Sequence, residues 1–377
     1  MSLIGNTTLS FTEEQAMLLD VAREFCRDKS PITAVRAQLD SDCGFDQALW
    51  DEMVSLGWAG IALPESCGGS GLGAGALVPV VEAMGRAMLG TPLISSALAG
   101  QLLLRAGNAQ QTERLLPNIA SGVSATLALL DNGDWGDDGI GLILDDERVL
   151  RGMKKCVPDA SVASIFVVSV SFKGSAALAI VRADQLVAAS LSPNTLIDQT
   201  KRAANVDFSG ITVDENNIIV GPAVAAALRD VRLLGALLVA AEATGSAAAC
   251  LDTTVEYLKT RKQFGKLIGS YQALKHPTVD ILTQVDSARS FIYHAATLVN
   301  DDALDADAEI ACRMAKAQAC QTLLYAGDRA VQFHGGMGFT DLVGLHYWFK
   351  RIGFNRQLLG SPELLRQQAA KLQGLAA

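Results

Sequence analysis

The amino-acid sequence predicts a multidomain, mostly α-helical protein with an N-terminal α-helical domain, a middle antiparallel β-barrel and a C-terminal four-helix bundle. The chain has 377 residues, which is more than one simple hydrophobic core usually holds. Hydrophobic residues make up 50% of it and charged residues 19%, so a large buried interior can form. The hydrophobic spacing is helical at both ends of the chain and alternating in the middle.

Residues 1–118 are predicted to form the N-terminal α-helical domain, because apolar residues recur there at helical spacing. Helices are expected at about 45–57, 75–89, 94–106 and 110–116. The last of these should stop at Pro117, since proline removes a helical hydrogen bond. The Pro- and Gly-rich stretch 62–73 is expected to be a loop.

Residues 119–222 are predicted to form the middle β-barrel. Val, Ile and Gly become more frequent there, and apolar residues begin to alternate with polar ones. The clearest runs lie at 164–171, 176–182 and 204–208. Gly, Asp and Asn separate such runs roughly every 8–12 residues, a spacing typical of antiparallel β-proteins.

Residues 223–377 are predicted to form the C-terminal helical bundle. Long helical patterns return at about 223–260, 271–299 and 304–334, and a short helix follows Gly360. Because these segments are long and apolar, we expect them to pack against one another and against other subunits.

Charge and cysteine content exclude several classes of protein. A net charge of −9 offers no basic surface for nucleic acid. The seven cysteines form no Cys-x-x-Cys pair, which indicates a reducing, cytoplasmic compartment. The four histidines lack any spacing typical of a metal site, so we expect no metal. Charged residues interrupt the long apolar runs, so membrane insertion is not expected.

A first candidate binding site follows the long helical pattern that ends near residue 260. Its polar and aromatic side chains are Arg261, Gln263, Phe264, Tyr271 and Gln272. Gly265 permits a tight turn between them. A ligand that carries both phosphates and flat rings needs such a set, because a guanidinium binds phosphate and aromatic faces pack on rings.

A second candidate site ends the helix predicted over 304–334, in the segment Gln332-Phe-His-Gly-Gly-Met-Gly338. Its candidate ligand contacts are Gln332, Phe333, Gly335 and Gly336. Glycines adopt positive φ at little cost and let a backbone approach a ligand closely.

Together the two segments resemble the C-terminal half of the acyl-CoA dehydrogenase family, FAD enzymes that desaturate acyl thioesters. The helix around Trp50–Trp58, the loop at 63–73 and Glu82-Ala-Met-Gly-Arg86 resemble the N-terminal domain of that family. The resemblance implies FAD as cofactor and α,β-dehydrogenation of an acyl-CoA. In the family the arginine faces the FAD pyrophosphate, the phenylalanine lies near the adenine, and glutamines and paired glycines contact FAD across a subunit interface.

The resemblance also implies partners. Family members assemble as homodimers or homotetramers, and some bacterial complexes are heterotetramers of two related subunits. The usual electron acceptor is an electron-transferring flavoprotein.

The sequence departs from the family where the catalytic base should lie. Removal of the α-proton of a thioester needs a carboxylate. Most relatives place a glutamate where this chain has Leu359, and a minority place it 26 residues before the arginine, which is Gly235 here. An arginine that often accompanies the second position is Ala236. The catalytic residues therefore stay unknown at this point.

The middle domain departs as well. Relatives carry a Thr-Glu-Pro loop and a Trp-Ile-Thr strand beside the flavin, whereas this chain has Leu127–Asp134 and Lys155-Cys-Val-Pro-Asp159 there. The flavin-facing side of the predicted barrel therefore departs from the family's pattern.

Three explanations stay open. Another carboxylate serves as the base, either Glu242, two turns along the helix from Gly235, or Asp341 after the glycine segment. Alternatively, the chain is a non-catalytic partner subunit of a heteromeric dehydrogenase. Alternatively, it is a binding or scaffold protein on the same fold.

Four further side chains are candidates for a functional role. His334 and His346 are expected to be structural, because both lie among aromatic residues. Lys350 and Arg351 could contact CoA phosphates, but solvated or ion-paired positions are expected for both.

Overall fold

The computed structural model describes residues 13–136, 139–299 and 303–375. Helices come first, strands occupy the middle and helices return, so the predicted mostly α-helical fold class is confirmed. The domain boundaries after residues 118 and 222 stay a prediction.

The N-terminal helices contribute buried apolar side chains to one large core. They are α1 (Glu13–Lys29), α2 (Ile32–Leu39), α3 (Gln47–Ser55), α4 (Leu77–Ala87), α5 (Leu93–Ala106) and α6 (Ala109–Ala120). A capping box formed by Asn108 and Gln111 starts α6. The prediction that Pro117 stops this helix is wrong, because the helix runs on to Ala120. Pro117 lacks one backbone N–H donor, and it lies in the last turn of the helix.

The middle of the chain contains two sheets. Its described strands are β1 (Ala125–Ala128), β2 (Ile143–Leu144), β3 (Leu150–Arg151), β4 (Met153–Pro158), β5 (Ile165–Phe172), β6 (Ser175–Arg182), β7 (Leu191–Pro193), β8 (Ala203–Asp207) and β9 (Ile218–Ile219). One sheet has the order β3-β2-β5-β6-β9 with β1 beside β5, and the other has the order β4-β8-β7.

The predicted antiparallel barrel needs correction in two respects. Over the described residues the two sheets do not close into a barrel. Moreover, β1 and β2 each pair with β5 in parallel. Alternating hydrophobicity locates strands but does not say which edges meet, because strand pairing depends on contacts between residues far apart in the chain.

Five described helices and a short hairpin complete the fold. They are α7 (Ala223–Thr260), the hairpin strands β10 (Lys262–Gln263) and β11 (Lys266–Leu267), α8 (Gln272–Leu298), α9 (Ala306–His334), α10 (Leu345–Gln357) and α11 (Pro362–Leu372). The predicted four-helix bundle omitted α10, whose aromatic and charged residues mask its helical spacing. No described helix is long and apolar enough to cross a lipid bilayer.

Helix α7 runs through the centre of the molecule and determines where the candidate site lies. It is buried along most of its length and packs on α9, α4 and α5. Helices α4 and α7 approach closely because two glycines face the opposite backbone. A Cβ on Gly85 would collide with the main-chain oxygen of Glu242, and one on Gly245 with that of Glu82. This close contact places the Glu242 side chain beside an internal cavity.

Candidate active site

An inner cavity lies where α4, α5, α7 and α10 meet β1 and β4. Its volume is about 80 Å³. Apolar side chains dominate its lining, including Phe45, Leu98, Leu127, Leu129, Trp135, Val239 and Leu358. Its polar groups include Thr91, Ser95, Asp159, Lys201 and Glu242. None of the residues predicted to bind the cofactor lines this cavity.

The two positions where the family carries its glutamate lie against each other. Leu359 lines the cavity with a left-handed φ of +61°. Its side chain packs on Gly235 so closely that a Cβ there would collide with it, and Leu98 packs on the same glycine from α5. Apolar atoms therefore fill the space that either glutamate would use.

A buried lysine fixes the turn that carries Leu359. Lys316 of α9 has no exposed surface, and its Nζ donates hydrogen bonds to the main-chain oxygens of Leu358 and Gly360. Burial lowers the pKa of Lys316 to about 8. Because this cation satisfies both carbonyls, it holds the turn against α9.

Glu242 is the centre of a buried ionic network and is not free to act as a base. It accepts a hydrogen bond from Lys201 at 2.5 Å and one from Asn355 at 3.1 Å. Arg351 Nη1 lies 3.5 Å from the same carboxylate, and its Nε donates to Asp198 at 3.1 Å. Burial alone would raise the pKa of Glu242, but Lys201 and Arg351 outweigh it and lower that pKa to about 2.

The other candidate base lies outside the cavity. Asp341 is exposed and accepts a hydrogen bond from Tyr347 Oη at 2.7 Å, which lowers the pKa of its carboxyl. A carboxylate in water with a lowered pKa is a weak base.

The remaining polar candidates have structural contacts. Ring nitrogen Nδ1 of His334 lies 2.7 Å from the main-chain oxygen of Ala330, and His346 lies 3.3 Å from Asp341. Lys350 donates to Gln199 at 2.8 Å. Arg351, considered above as a CoA contact, is fully buried in the Glu242 network.

Sequence reasoning missed one cavity residue, Asp159. It follows β4 and has a φ of +52°, and Ser95 of α5 donates to its Oδ2 at 2.5 Å. Burial raises the pKa of the Asp159 carboxyl, against the Ser95 hydrogen bond and the Lys201 charge, which lower it. In the sequence, Asp159 shows only as an acidic residue at the end of the segment Lys155–Asp159. Its place at the cavity depends on how the β4 sheet meets α5, which no local pattern encodes.

The first predicted cofactor segment forms an exposed hairpin. Strands β10 and β11 pair through Gln263 and Lys266, and the two turn residues, Phe264 and Gly265, have φ of +52° and +75°. Positive φ at both positions is the type I′ hairpin geometry, which is unusual for phenylalanine. It leaves the Phe264 ring 90% exposed, and Arg261 and Gln272 are exposed as well.

The second predicted segment lies next to the first. Gln332, Gly335 and Gly336 are exposed at the end of α9, and Phe333 is half-buried. The buried ring of His334 stacks on Tyr257 of α7, with centroids 4.2 Å apart. Because the main-chain oxygen of Tyr257 accepts from the N–H of Arg261, the stack ties both segments into one edge of the molecule. Tyr271 joins this exposed edge by donating from its Oη to the Gln263 carbonyl at 3.3 Å.

Comparisons with known proteins identify the family. Residues 12–123 match the acyl-CoA dehydrogenase N-terminal domain and residues 231–373 match the C-terminal domain. Acyl-CoA dehydrogenase IpdE2 of Mycobacterium tuberculosis is 31% identical over 94% of this chain and 96% of its own length. The chain belongs to the acyl-CoA dehydrogenase family. The predicted resemblance and the class of flavin oxidoreductase are thereby confirmed.

Solved structures show the same fold. A variant of the Tcur3481-Tcur3483 steroid ACAD has a TM-score of 0.85 and 29% identity, covering 96% of this chain and 98% of its own. The ChsE4-ChsE5 complex from Mycobacterium tuberculosis has a TM-score of 0.87 at 24% identity, covering 98% of this chain and 100% of its own. This second likeness concerns the fold alone.

The residues of this member of the family fit FAD, which the family assignment confirms as the cofactor. The exposed edge carries a guanidinium, amides, an aromatic face and glycine backbone, which are groups suited to phosphates and to an adenine ring. The inner cavity has an apolar lining, and Thr91 Oγ1 within it is buried without a hydrogen-bond partner in the described structure, so a bound molecule can supply that partner. Within the described residues, no cluster of His, Cys, Asp and Glu side chains could hold a metal ion.

Proposed function

We propose that this chain is a subunit of an FAD-dependent acyl-CoA dehydrogenase, in which its exposed edge holds part of the FAD of a neighbouring chain. The supporting observation is the separation of the two sites. Arg261, Phe264 and the Gly335–Gly336 turn point outward, whereas the cavity that suits the acyl group lies inside and contains none of them. An edge with exposed ligand-binding groups gains its function when a second chain covers it.

The edge residues have distinct roles in this proposal. The Arg261 guanidinium binds the pyrophosphate, and the exposed Phe264 ring packs on the adenine. The amides of Gln263, Gln272 and Gln332 bind polar atoms of the cofactor, and the glycines let the backbone approach it. When bound, FAD supplies a two-electron acceptor for the β-hydrogen of the thioester.

The inner cavity binds the acyl group in the same proposal. Leu98, Val239 and Leu359 provide an apolar surface that excludes water around the reacting carbons. Trp135 and Leu359 also line a neighbouring cleft between the middle sheets, α7 and α11, so these two side chains form the wall between the two spaces.

A second candidate function is that of a non-catalytic partner in a heteromeric dehydrogenase. The contact between Gly235 and Leu359 favours it, because this contact fills the site of the family's base with apolar atoms. The structural neighbour titled as the ChsE4-ChsE5 complex is itself an assembly of two different chains. In this version the present chain supplies its edge, and the other chain supplies the base.

The electron acceptor and the compartment are also part of the proposal. We propose an electron-transferring flavoprotein as acceptor, following the resemblance to the family. All seven cysteines are free thiols, which supports a reducing, cytoplasmic compartment.

The absorption spectrum of the purified protein, followed by anaerobic titration with straight-chain and ring-bearing acyl-CoAs, tests the proposal. An oxidised-flavin band that bleaches with an acyl-CoA is the expected result for a competent oligomer. Absence of flavin from the chain alone, with flavin regained on adding a related subunit, would favour the partner role. A flavin band that no acyl-CoA bleaches, even with the partner present, would contradict dehydrogenation.

A further inference from the structure

We propose that Asp159 is the general base of the inner cavity, the carboxylate that removes the α-proton of a bound acyl thioester. This inference rests on the proposed function, since it places an acyl thioester in the cavity. Of the side chains that line the cavity in the described structure, Glu242 and Asp159 carry carboxylates. Both oxygens of Glu242 are engaged, by Lys201 and by Asn355. Asp159 is the acid that stays available.

Asp159 lines the same cavity as Leu359, and a chain of contacts connects it to the positions of the family's glutamate. Ser95, which donates to Asp159, lies on α5 one turn before Leu98. Residues three apart on a helix are neighbours, with Cβ atoms about 5–6 Å apart. Leu98 in turn packs on Gly235 beside Leu359. An acyl chain lying along Leu98 and Leu359 can therefore bring its α-carbon to the Asp159 carboxylate.

The backbone fixes this carboxylate in position. The N–H of Asp159 donates to the Arg202 carbonyl at 3.0 Å, and the Asp159 carbonyl accepts from the N–H groups of Val162 and Ala163. The left-handed φ of +52° is thus held by main-chain bonds at both ends. Strained residues held in this way are frequent at functional sites.

The surroundings shift the pKa values of Asp159 and Glu242 in opposite directions. Burial raises the pKa of Asp159, and the neighbouring Glu242 adds to the rise against Ser95, Lys201 and Arg202. Lys201 and Arg351 instead keep Glu242 ionised. Two carboxyl groups whose environments separate their pKa values in this way are typical of an acid or base beside a fixed charge.

The proposed step is a proton transfer that balances by itself. The α-carbon–hydrogen bond breaks, the proton forms an O–H bond on Asp159, and the electron pair stays on the thioester as an enolate. The protonated Asp159 exchanges with solvent and can return a proton to the same carbon. In heavy water this cycle places deuterium at the α-carbon without any oxidation.

The test measures α-deuterium in butyryl-CoA and 3-phenylpropionyl-CoA by mass spectrometry, with wild-type protein and Asp159→Asn in heavy water. Asparagine accepts the left-handed backbone and the Ser95 hydrogen bond, so the variant removes the charge while preserving the fold. We expect exchange to fall about 100-fold or more, with acyl-CoA binding by calorimetry unchanged. The matched control is Asp184→Asn, an exposed acid after β6 that should keep wild-type exchange.

Ser95→Ala distinguishes a base from a structural acid. The Ser95 hydrogen bond lowers the pKa of Asp159, so its loss should move the acid limb of the exchange profile to higher pH. Wild-type exchange in Asp159→Asn would overturn the proposal, as would a wild-type protein that binds either thioester without exchanging it. Failure to bind any thioester would overturn the cavity role as well. The FAD content of the same samples reports separately on the exposed edge.

Discussion

At the scale of single residues, the chemistry of the cavity is decided by which charged groups are already paired. Sequence spacing put Glu242 on the same helical face as Gly235, which made it a reasonable base. Spacing alone cannot show that Lys201, from a segment forty-one residues earlier in the chain, lies 2.5 Å from it. The ion pair with Lys201 makes Glu242 a structural anion and not a base. Asp159 is then the remaining carboxylate in the described cavity lining that can act as the base.

The Glu242 network predicts a specific loss of stability. Glu242→Gln leaves Lys201 without its counter-charge and leaves Arg351 with Asp198 alone, so the free energy of unfolding should fall by about 3 kcal/mol. Urea denaturation at fixed protein concentration measures it. Glu215→Gln, which removes an exposed partner of Arg148, is the control and should leave the midpoint unchanged. An unchanged midpoint for Glu242→Gln would show that the network is not intact in solution.

The same network predicts how the stability of the protein changes with pH. The pKa of Glu242 lies at about 2 in the folded protein and at 4.5 for an unperturbed glutamate. A lowered folded-state pKa stabilises the protein above the unfolded value, and this stabilisation disappears as pH falls towards the folded value. The stability difference between wild type and Glu242→Gln should therefore be constant above about pH 5 and shrink between about pH 5 and pH 2. A difference that grew on acidification would contradict this assignment.

At the scale of elements, the hairpin β10–β11 has a feature that stability does not explain. Glycine is the residue that suits positive φ at both turn positions, yet Phe264 occupies one of them with its ring in solvent. The sequence allowed the tight turn to be predicted from Gly265, but not the orientation of the ring, because that depends on the turn type.

We therefore expect Phe264→Gly to separate stability from cofactor binding. The change relieves the positive φ, so thermal stability without cofactor should be unchanged or higher. FAD affinity should fall about tenfold, because stacking of a base on an aromatic ring contributes about 1–3 kcal/mol. Equilibrium dialysis with FAD measures the affinity. Val187→Ala, an exposed apolar residue near the middle sheets, should change neither quantity. Undiminished FAD affinity in Phe264→Gly would remove the ring from the cofactor site.

At the scale of the whole molecule, the sequence predicted more of the fold than of the site. The long helices α7, α8 and α9 were located within a few residues, because their apolar spacing extends over many turns. The parallel pairing of β1 with β5 was not predicted, because it depends on contacts between residues far apart in the chain. Helix α10 was not predicted either, because its aromatic and charged residues mask the helical spacing. The same limit applies to Asp159, which reaches the cavity only through the packing of β4 against α5.

At this scale the proposal is that the cofactor is shared between chains. The edge around Arg261 faces outward, and the inner cavity opens elsewhere. The exposed apolar residues Met337, Phe339 and Leu342 lie beside this edge, which is where a neighbouring subunit would cover them.

Native mass spectrometry of the purified assembly, comparing wild type with Arg261→Gln, tests this central claim most directly. We expect FAD in wild-type oligomers, and we expect Arg261→Gln to form the same oligomers with FAD lost, because the pyrophosphate has lost its guanidinium. FAD retained in full by Arg261→Gln, or carried by a single chain outside any oligomer, would contradict the shared site.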